Sequence, residues 1–402
     1  MVHREKSYLK GLIKMVLVKI SFDDRAHARF IAEAFWLFLA VKDRINFLRL
    51  GRFGPWGEQT FRSRFARPFD FMAFNTTLVA GTGKRAIAID PSYIRKSGKC
   101  TPGTGRFWSG VAGAAKWGLE IMGMAVVDIR ANTAHHLEAV QTPSDLGDGT
   151  LLDHYARVVV ARAERLLGIS AHLVADAYFS KRPFVDAVTG CGMHLTSRLR
   201  DDADLCYLYR GGATGGRGRP RKYDGKVDFA DLKEEHFTLV EDGPDQKLSH
   251  GKVWSKALKR EINLTVAKTL RKGEWSHKLY FTTDPSLSAM EILEQYRCRF
   301  QIEFLFRDAK QHTSLEHCQS RDPKAMHFHW NASLTAVNLA KELHWSRLPV
   351  GERGAFSMAG AKTLYNNALV LERFLEEFGI CPNRPKNRAK IQKLICYGAR
   401  TV

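Results

Sequence analysis

The sequence has no Cys-x-x-Cys pair, and its seven cysteines (Cys100, Cys191, Cys206, Cys298, Cys318, Cys381 and Cys396) are scattered and odd in number. That spacing argues against a zinc site and a disulfide framework and fits a reducing compartment. Long apolar runs are missing too. The longest, Phe30 to Val41, is interrupted by Glu33 and is too short to span a bilayer. Leu12 to Ile20 is broken by Lys14 and Lys19, which makes a poor secretory signal, so a soluble cytoplasmic protein with no membrane partner is expected. No internal repeat is present. The last deficit is in acid: 42 Asp plus Glu face 62 Lys plus Arg, leaving a net charge of +20. That excess points to a polyanionic partner, nucleic acid held through its phosphates.

The chain is long enough, at 402 residues and 45% hydrophobic, for two to three domains around a sizeable core. Residues 1–80 read as helical: Phe30, Ala34, Leu37, Phe38 and Val41 repeat at helical spacing until Gly51 and Gly54-Pro55. A short segment, Glu58 to Phe65, carries Arg62 and Arg64 opposite two Phe, as a DNA-recognition helix or an ordinary helix with a solvated basic face would. From Arg85 the texture is α/β. Strands are expected at Ala86–Asp90, Phe107–Lys116, Leu119–Asp128, His172–Ala175 and Met193–Leu199, with helices at Leu151–Leu167 and Pro183–Val188, which makes a mixed sheet. Residues 201–282 break the alternation and read as a β-rich insertion. Its basic loop contains Arg217-Gly218-Arg219-Pro220, which matches an AT-hook core for the A·T minor groove and equally suits a flexible basic hairpin. From Ser288 the chain is helical, with a breaker at Asp322-Pro323 and a basic terminal stretch, Arg384 to Arg400.

Two short apolar strands end in carboxylates, Asp90 and Asp176, and strand ends converging on one sheet edge are a common way to build a metal site. A turn or cap role is the plainer alternative, and Asp128 competes as a third strand-ending carboxylate. The helix expected from Ser288 to His312 adds Tyr296, Arg299, Glu303 and Lys310, which fall within an arc of about 60° at about 100° per residue. Apolar residues flank this stripe on both sides. A carboxylate with an arginine and a lysine suits a cation plus phosphate oxygens; the alternative is an Arg299–Glu303 ion pair on a solvated face. The pairs His135-His136 and His327/His329 lack spaced partners and read as structural.

The spacing of Tyr296, Arg299, Glu303 and Lys310 resembles the Tyr-Arg-Glu-Lys signature of DDE transposases of bacterial insertion sequences, of the insertion-sequence-four type. Val174-Ala175-Asp176-Ala177-Tyr178-Phe179 and Ala88-Ile89-Asp90 resemble that family's second-Asp and first-Asp segments, and Ser197–Arg200 and Phe281–Asp284 resemble segments around its insertion. The resemblance implies a ribonuclease H-like catalytic domain over 81–345, interrupted by the β insertion, with a helical DNA-binding region at 1–80 and a basic helical region at 346–402. The 127 residues from Asp176 to Glu303 leave room for that insertion. It also implies Asp90, Asp176 and Glu303 as a catalytic triad binding two magnesium ions, with manganese able to substitute, and Tyr296, Arg299 and Lys310 on the DNA end. The implied activity is metal-dependent endonuclease cleavage and strand transfer at the inverted repeats of an insertion sequence, by a nucleoid-associated homodimer. Two rivals stay open: a catalytically dead DNA-binding descendant, and a nuclease of the same fold that does not join strands. The family's stacking tryptophan in the insertion corresponds to Trp275, with Trp254 second and a plain packing role as the alternative.

Overall fold

The structure, a computed structural model, describes residues 2–79, 81, 83–98, 100–212, 221–346, 348–349 and 354–399. Five helices open the chain: α1 (Val2–Lys19), α2 (Arg25–Ala40), α3 (Phe47–Phe53), α4 (Glu58–Phe65) and α5 (Phe71–Leu78). Asp24, Asn46 and Asp70 accept from the backbone N–H of His27, Arg49 and Ala73, and so cap α2, α3 and α5. The long apolar run is α2, buried over most of its surface. Glu33 survives there because Lys10 reaches it at 2.7 Å and Lys6 at 3.5 Å. Phe30, Phe35, Phe38, Phe61, Phe65 and Phe74 are buried around it. No helix among the described residues is long and apolar enough to cross a membrane.

The sheet follows: β1 (Arg85–Arg95), β2 (Gly105–Ser109), β3 (Ala114–Asp128), β4 (Thr133–Gln141), helices α6 (Leu151–Val160) and α7 (Ala163–Leu167), β5 (His172–Val174), α8 (Arg182–Gly190) and β6 (His194–Leu199). β1 runs antiparallel to β3 and parallel to β5, which is parallel to β6. The insertion adds β7 (Leu205–Leu208), β8 (Tyr223–Lys226), β9 (Thr238–Asp242), β10 (Gln246–Ser255), β11 (Arg260–Arg271) and β12 (Glu274–Thr282). These strands do not form a separate sheet. β12 pairs with β6 from Leu279↔Leu199 to Thr282↔Thr196, so one mixed sheet runs β2-β3-β1-β5-β6-β12-β11-β10-β7-β8, with β4 on β3 and β9 on β10.

Several sequence expectations need correction here. Phe107–Lys116 is not one strand but β2, a turn and the start of β3. β4 was not expected, because His135, His136 and Glu138 hide its alternation. Those side chains are placed by partners distant in sequence: Glu138 meets Arg162, and His136 meets Asn331. The helix at 151–167 is two helices. β1 also continues through Pro91 to Arg95, so Asp90 lies mid-strand and not at a strand end.

The remaining helices are α9 (Ala289–Cys298), α10 (Gln301–His312), α11 (Pro323–Trp345), α12 (Met358–Glu377) and α13 (Pro385–Ile395). The single helix expected from Ser288 to His312 is broken at 299–300. No glycine or proline marks the break; there the bonds tighten, Ile302 N–H donating to Arg299 O and Glu303 N–H to Phe300 O, both at 3.1 Å. α11 is almost wholly buried between the sheet and the N-terminal helices. Its Asn338 side chain accepts from His136 N–H and donates to His136 O, both at 2.8 Å, and Asn331 does the same for Ala139 at 2.8 and 3.0 Å. Two amides thus supply the free edge of β4 with the donors and acceptors a neighbouring strand would bring. α12 lies on α2, where Lys362 donates to Phe38 O at 2.8 Å and Asn366 to Ala40 O at 2.9 Å.

Candidate active site

The register of the parallel pair fixes the first two carboxylates. Ala88 pairs with Val174, the last residue of β5, so Asp90 and Asp176, each two residues further on, leave that pair in the same direction. Asp176 leaves the strand and caps a short 3-10 turn, accepting from Tyr178 N–H at 2.9 Å. On the neighbouring strand Asp90 pairs with Gly123. A Cβ on Gly123 would stand 2.5 Å from the Phe306 ring, so glycine lets α10 press directly onto the sheet beside Asp90. Glu303, in the first turn of α10, is carried to the same place.

Arg299 joins them. Its guanidinium lies 2.7 Å from Glu303 Oε1 and 3.8 Å from Asp90 Oδ1, and it is buried. Burial pushes the Asp90 carboxyl up to about 7; Arg299 pulls the other way, and the charges of Asp176, Glu303 and Glu120 add to the rise. Burial works against the Arg299 charge, yet Asp90 and Glu303 outweigh it and hold that pKa above its ordinary value. The expected ion pair is therefore present but only half solvated: Glu303 stays partly exposed, while the Arg299 guanidinium is buried and shared with a second carboxylate. Tyr296 packs against Tyr280 with the rings tilted and their centroids 5.0 Å apart, and the Arg299 guanidinium lies 5.9 Å from the Tyr296 ring. Lys310 points along β1 instead, donating to Tyr93 O at 2.8 Å and pairing with Glu316 at 3.2 Å.

Other candidates separate from this cluster. Asp128 pairs with Arg85 at the start of β1 and accepts from Ala131 N–H at 2.8 Å, which is the turn role. His136 and His329 are buried neutral, pushed down to about 4 by burial, and hydrogen-bond Asn331 and Ser314 O. Arg62 is engaged by Glu58 at 2.6 Å and lies over the Phe47 ring, whereas Arg64 Nη1 is buried with no hydrogen-bond partner among the described residues. Arg217 and Arg219 lie outside the described residues. Trp275 on β12 is 44% exposed, with the Lys247 ammonium 5.9 Å from its ring, and lines a cavity of about 970 Å³ with Phe229, Lys226 and Lys268. Trp254 sits beside Tyr223.

Sequence reasoning missed Glu120, whose carboxylate is buried on β3, accepts from Tyr155 Oη and is raised by burial. A lone Glu inside the apolar run Leu119–Val127 was the available signal. It also missed Asp224, Glu235 and His236, the carboxylate–imidazole group among the described residues whose ligand atoms lie within 4.8 Å of one another. That group sits in the insertion, and Arg221 at 2.7 Å and Lys233 at 3.4 Å already pair with Asp224.

Comparison with known proteins gives one family. The family profile described as "Transposase DDE domain" matches residues 81–339. No curated protein matches the chain. Among solved structures, a piggyBac transposase synaptic complex with hairpin DNA aligns at 12% identity with a TM-score of 0.36. The alignment covers 78% of this chain and 58% of the piggyBac chain, so the match spans less than two thirds of that protein's length.

Proposed function

This chain belongs to the transposase DDE domain family, and on that premise we propose that it binds the ends of a mobile DNA element and catalyses metal-dependent cleavage and strand transfer. The observation that carries the reading is the meeting of Asp176, Glu303 and Arg299 at the buried Asp90, inside the matched region. Three carboxylates drawn to one place by a sheet register, a helix start and a glycine contact are costly without a compensating cation. Asp90 reports that cost in its raised pKa, and an all-oxygen donor set of this kind fits magnesium, with manganese as a substitute. Bound there, the divalent ions would supply Lewis-acid stabilisation of a phosphodiester and of the attacking oxygen.

The chain's own residues do the rest. Arg299 offsets part of the charge of Asp90 and Glu303 and holds Glu303 towards β1. Tyr296, Arg299 and Lys310 at the insertion-sequence-four spacing are assigned to the transferred DNA end. The strand order β4-β3-β1-β5-β6, three antiparallel strands followed by two parallel, supports a ribonuclease H-like domain over 81–345. Residues 1–80, with Arg62 and Arg64, are assigned to DNA binding, as are Arg217 and Arg219, and 346–402 forms a basic helical flank. Trp275, exposed beside Lys247, is assigned to stacking on an unpaired base of the element end. A homodimer would bring the two inverted repeats together on nucleoid DNA.

The test is cleavage and joining by the purified protein on the inverted repeats flanking its gene, with magnesium and a target plasmid. Asp90→Ala, Asp176→Ala and Glu303→Ala should each abolish cutting while DNA binding persists. Full cutting by any of the three removes that residue from the triad, and cutting without joining by the wild type would reassign the protein as a nuclease.

A further inference from the structure

We propose that a basic groove at the far end of β1 is a phosphate-binding track for duplex DNA leading away from the carboxylate site; this rests on the proposed function in taking DNA as the polyanion. Three chain segments distant in sequence build it: Arg44 from the loop after α2, Arg95 and Lys96 from the end of β1, and Glu316 to Arg321 from the loop before α11. The groove has a volume of about 490 Å³.

Its frame is held internally. Lys96 donates to Cys318 O at 2.6 Å and Ser320 O at 3.1 Å, tying the loop to the strand end. Ile45 N–H donates to Ser314 Oγ at 3.1 Å, Ser314 Oγ donates to Asp43 O at 2.9 Å, and Asn46 reaches Gln319 at 3.2 Å, which ties in the third segment. The groove's carboxylate, Glu316, is taken by Lys310. Arg44, Arg95 and Arg321 therefore share the groove, and none has an ion-pair partner among the described residues. His317 adds an Nδ1 that is buried without a hydrogen-bond partner among those residues. Three guanidiniums on a pre-set frame match phosphate oxygens by charge and by fork geometry.

Position gives the track its direction. Arg95 is five residues beyond Asp90 on one strand, about 17 Å at ~3.4 Å per residue. That distance equals about five base-pair steps of duplex at ~3.4 Å each. Lys310 lies between, on Tyr93 O, and its pairing with Glu316 keeps that carboxylate from opposing a phosphate in the groove.

The experiment measures binding of a mixed-sequence DNA duplex across a salt series for the full chain and for Arg44→Ala/Arg95→Ala/Arg321→Ala. Three lost phosphate contacts should flatten the log K against log salt slope by roughly 2–3 units. The corresponding triple Lys variant should keep the slope, since it keeps the charges, which separates lost contacts from lost folding. An Ala variant with the wild-type slope overturns the groove alone if the wild type binds and cuts. A wild type without salt-dependent DNA binding overturns the groove and the proposed function together.

Discussion

Arg299 reaches Glu303 at 2.7 Å across the break between α9 and α10. In a continuous helix the same i, i+4 pair would be an ordinary surface bridge worth about 0.3–0.5 kcal/mol. Here the break and the close approach of α10 to β1 turn it inward until the guanidinium also faces Asp90. The Arg299 guanidinium thus supplies positive charge within a carboxylate cluster.

The raised Asp90 pKa makes a prediction about stability. A carboxyl at about 7 in the fold and near 3.8 when unfolded favours folding fully below pH 3.8, and that contribution is lost as pH rises through 7. Asp90→Asn removes the penalty, so in chelator the variant should be more stable than wild type at pH 8 by roughly 1–3 kcal/mol. The difference should shrink towards zero near pH 4. Thermal melts across pH check this; a gain independent of pH would mean Asp90 is not the titrating group.

Divalent ions should reverse that order. Added magnesium or manganese should raise the wild-type melting temperature, because an ion that binds only the folded state stabilises it by mass action. Asp90→Asn and Glu303→Gln should lose most of that rise. An undiminished rise in both variants, lost instead in Asp224→Asn, would move the ion to the insertion.

Gly123→Ala tests how Glu303 is delivered. The added methyl meets the Phe306 ring, so α10 must shift at a cost of about 1–3 kcal/mol and cutting should fall. Phe306→Leu in the same chain should recover part of both losses. Recovery of stability without activity would show that α10 position does not set Glu303.

Asn338→Ala should be among the most damaging changes outside the site. It strips partners from both polar groups of His136 and from Asn75 Oδ1, at roughly 3 kcal/mol for buried groups left unpaired. Chemical denaturation measures it. A loss below about 1 kcal/mol would mean that water or a shifted α11 replaces the amide.

The site was easier to read in the sequence than its surroundings. Ala88-Ile89-Asp90 and Val174-Ala175-Asp176 advertise two carboxylates following short apolar runs, and their parallel register is the natural consequence. The Tyr296–Lys310 spacing was visible, but the turn at 299–300 was not, since no residue there is a helix breaker; its cause lies in tertiary packing. β4 was invisible for the same reason: its polar residues are matched by Arg162 and Asn331, far away in sequence. Likewise Glu120 looks like a lone charge until Tyr155 is folded against it. The placement of Lys310 on Tyr93 O also required the fold, because periodicity assigns a helix face but not the distance along it.

The seam between β6 and β12 has a consequence for how this protein could be shortened. In the sequence, residues 201–282 look like an appendage that could be trimmed. In the fold, Thr196 to Leu199 bond to β12 along their outer side, immediately beside the strand that leads to Asp176. Excision would not leave a smaller finished molecule. It would cut the sheet mid-weave and leave a raw selvedge of unpaired backbone on β6, available to any extended chain that met it. A viable miniature would need a replacement border there, a helix or a charged edge strand, before its chemistry could be judged at all.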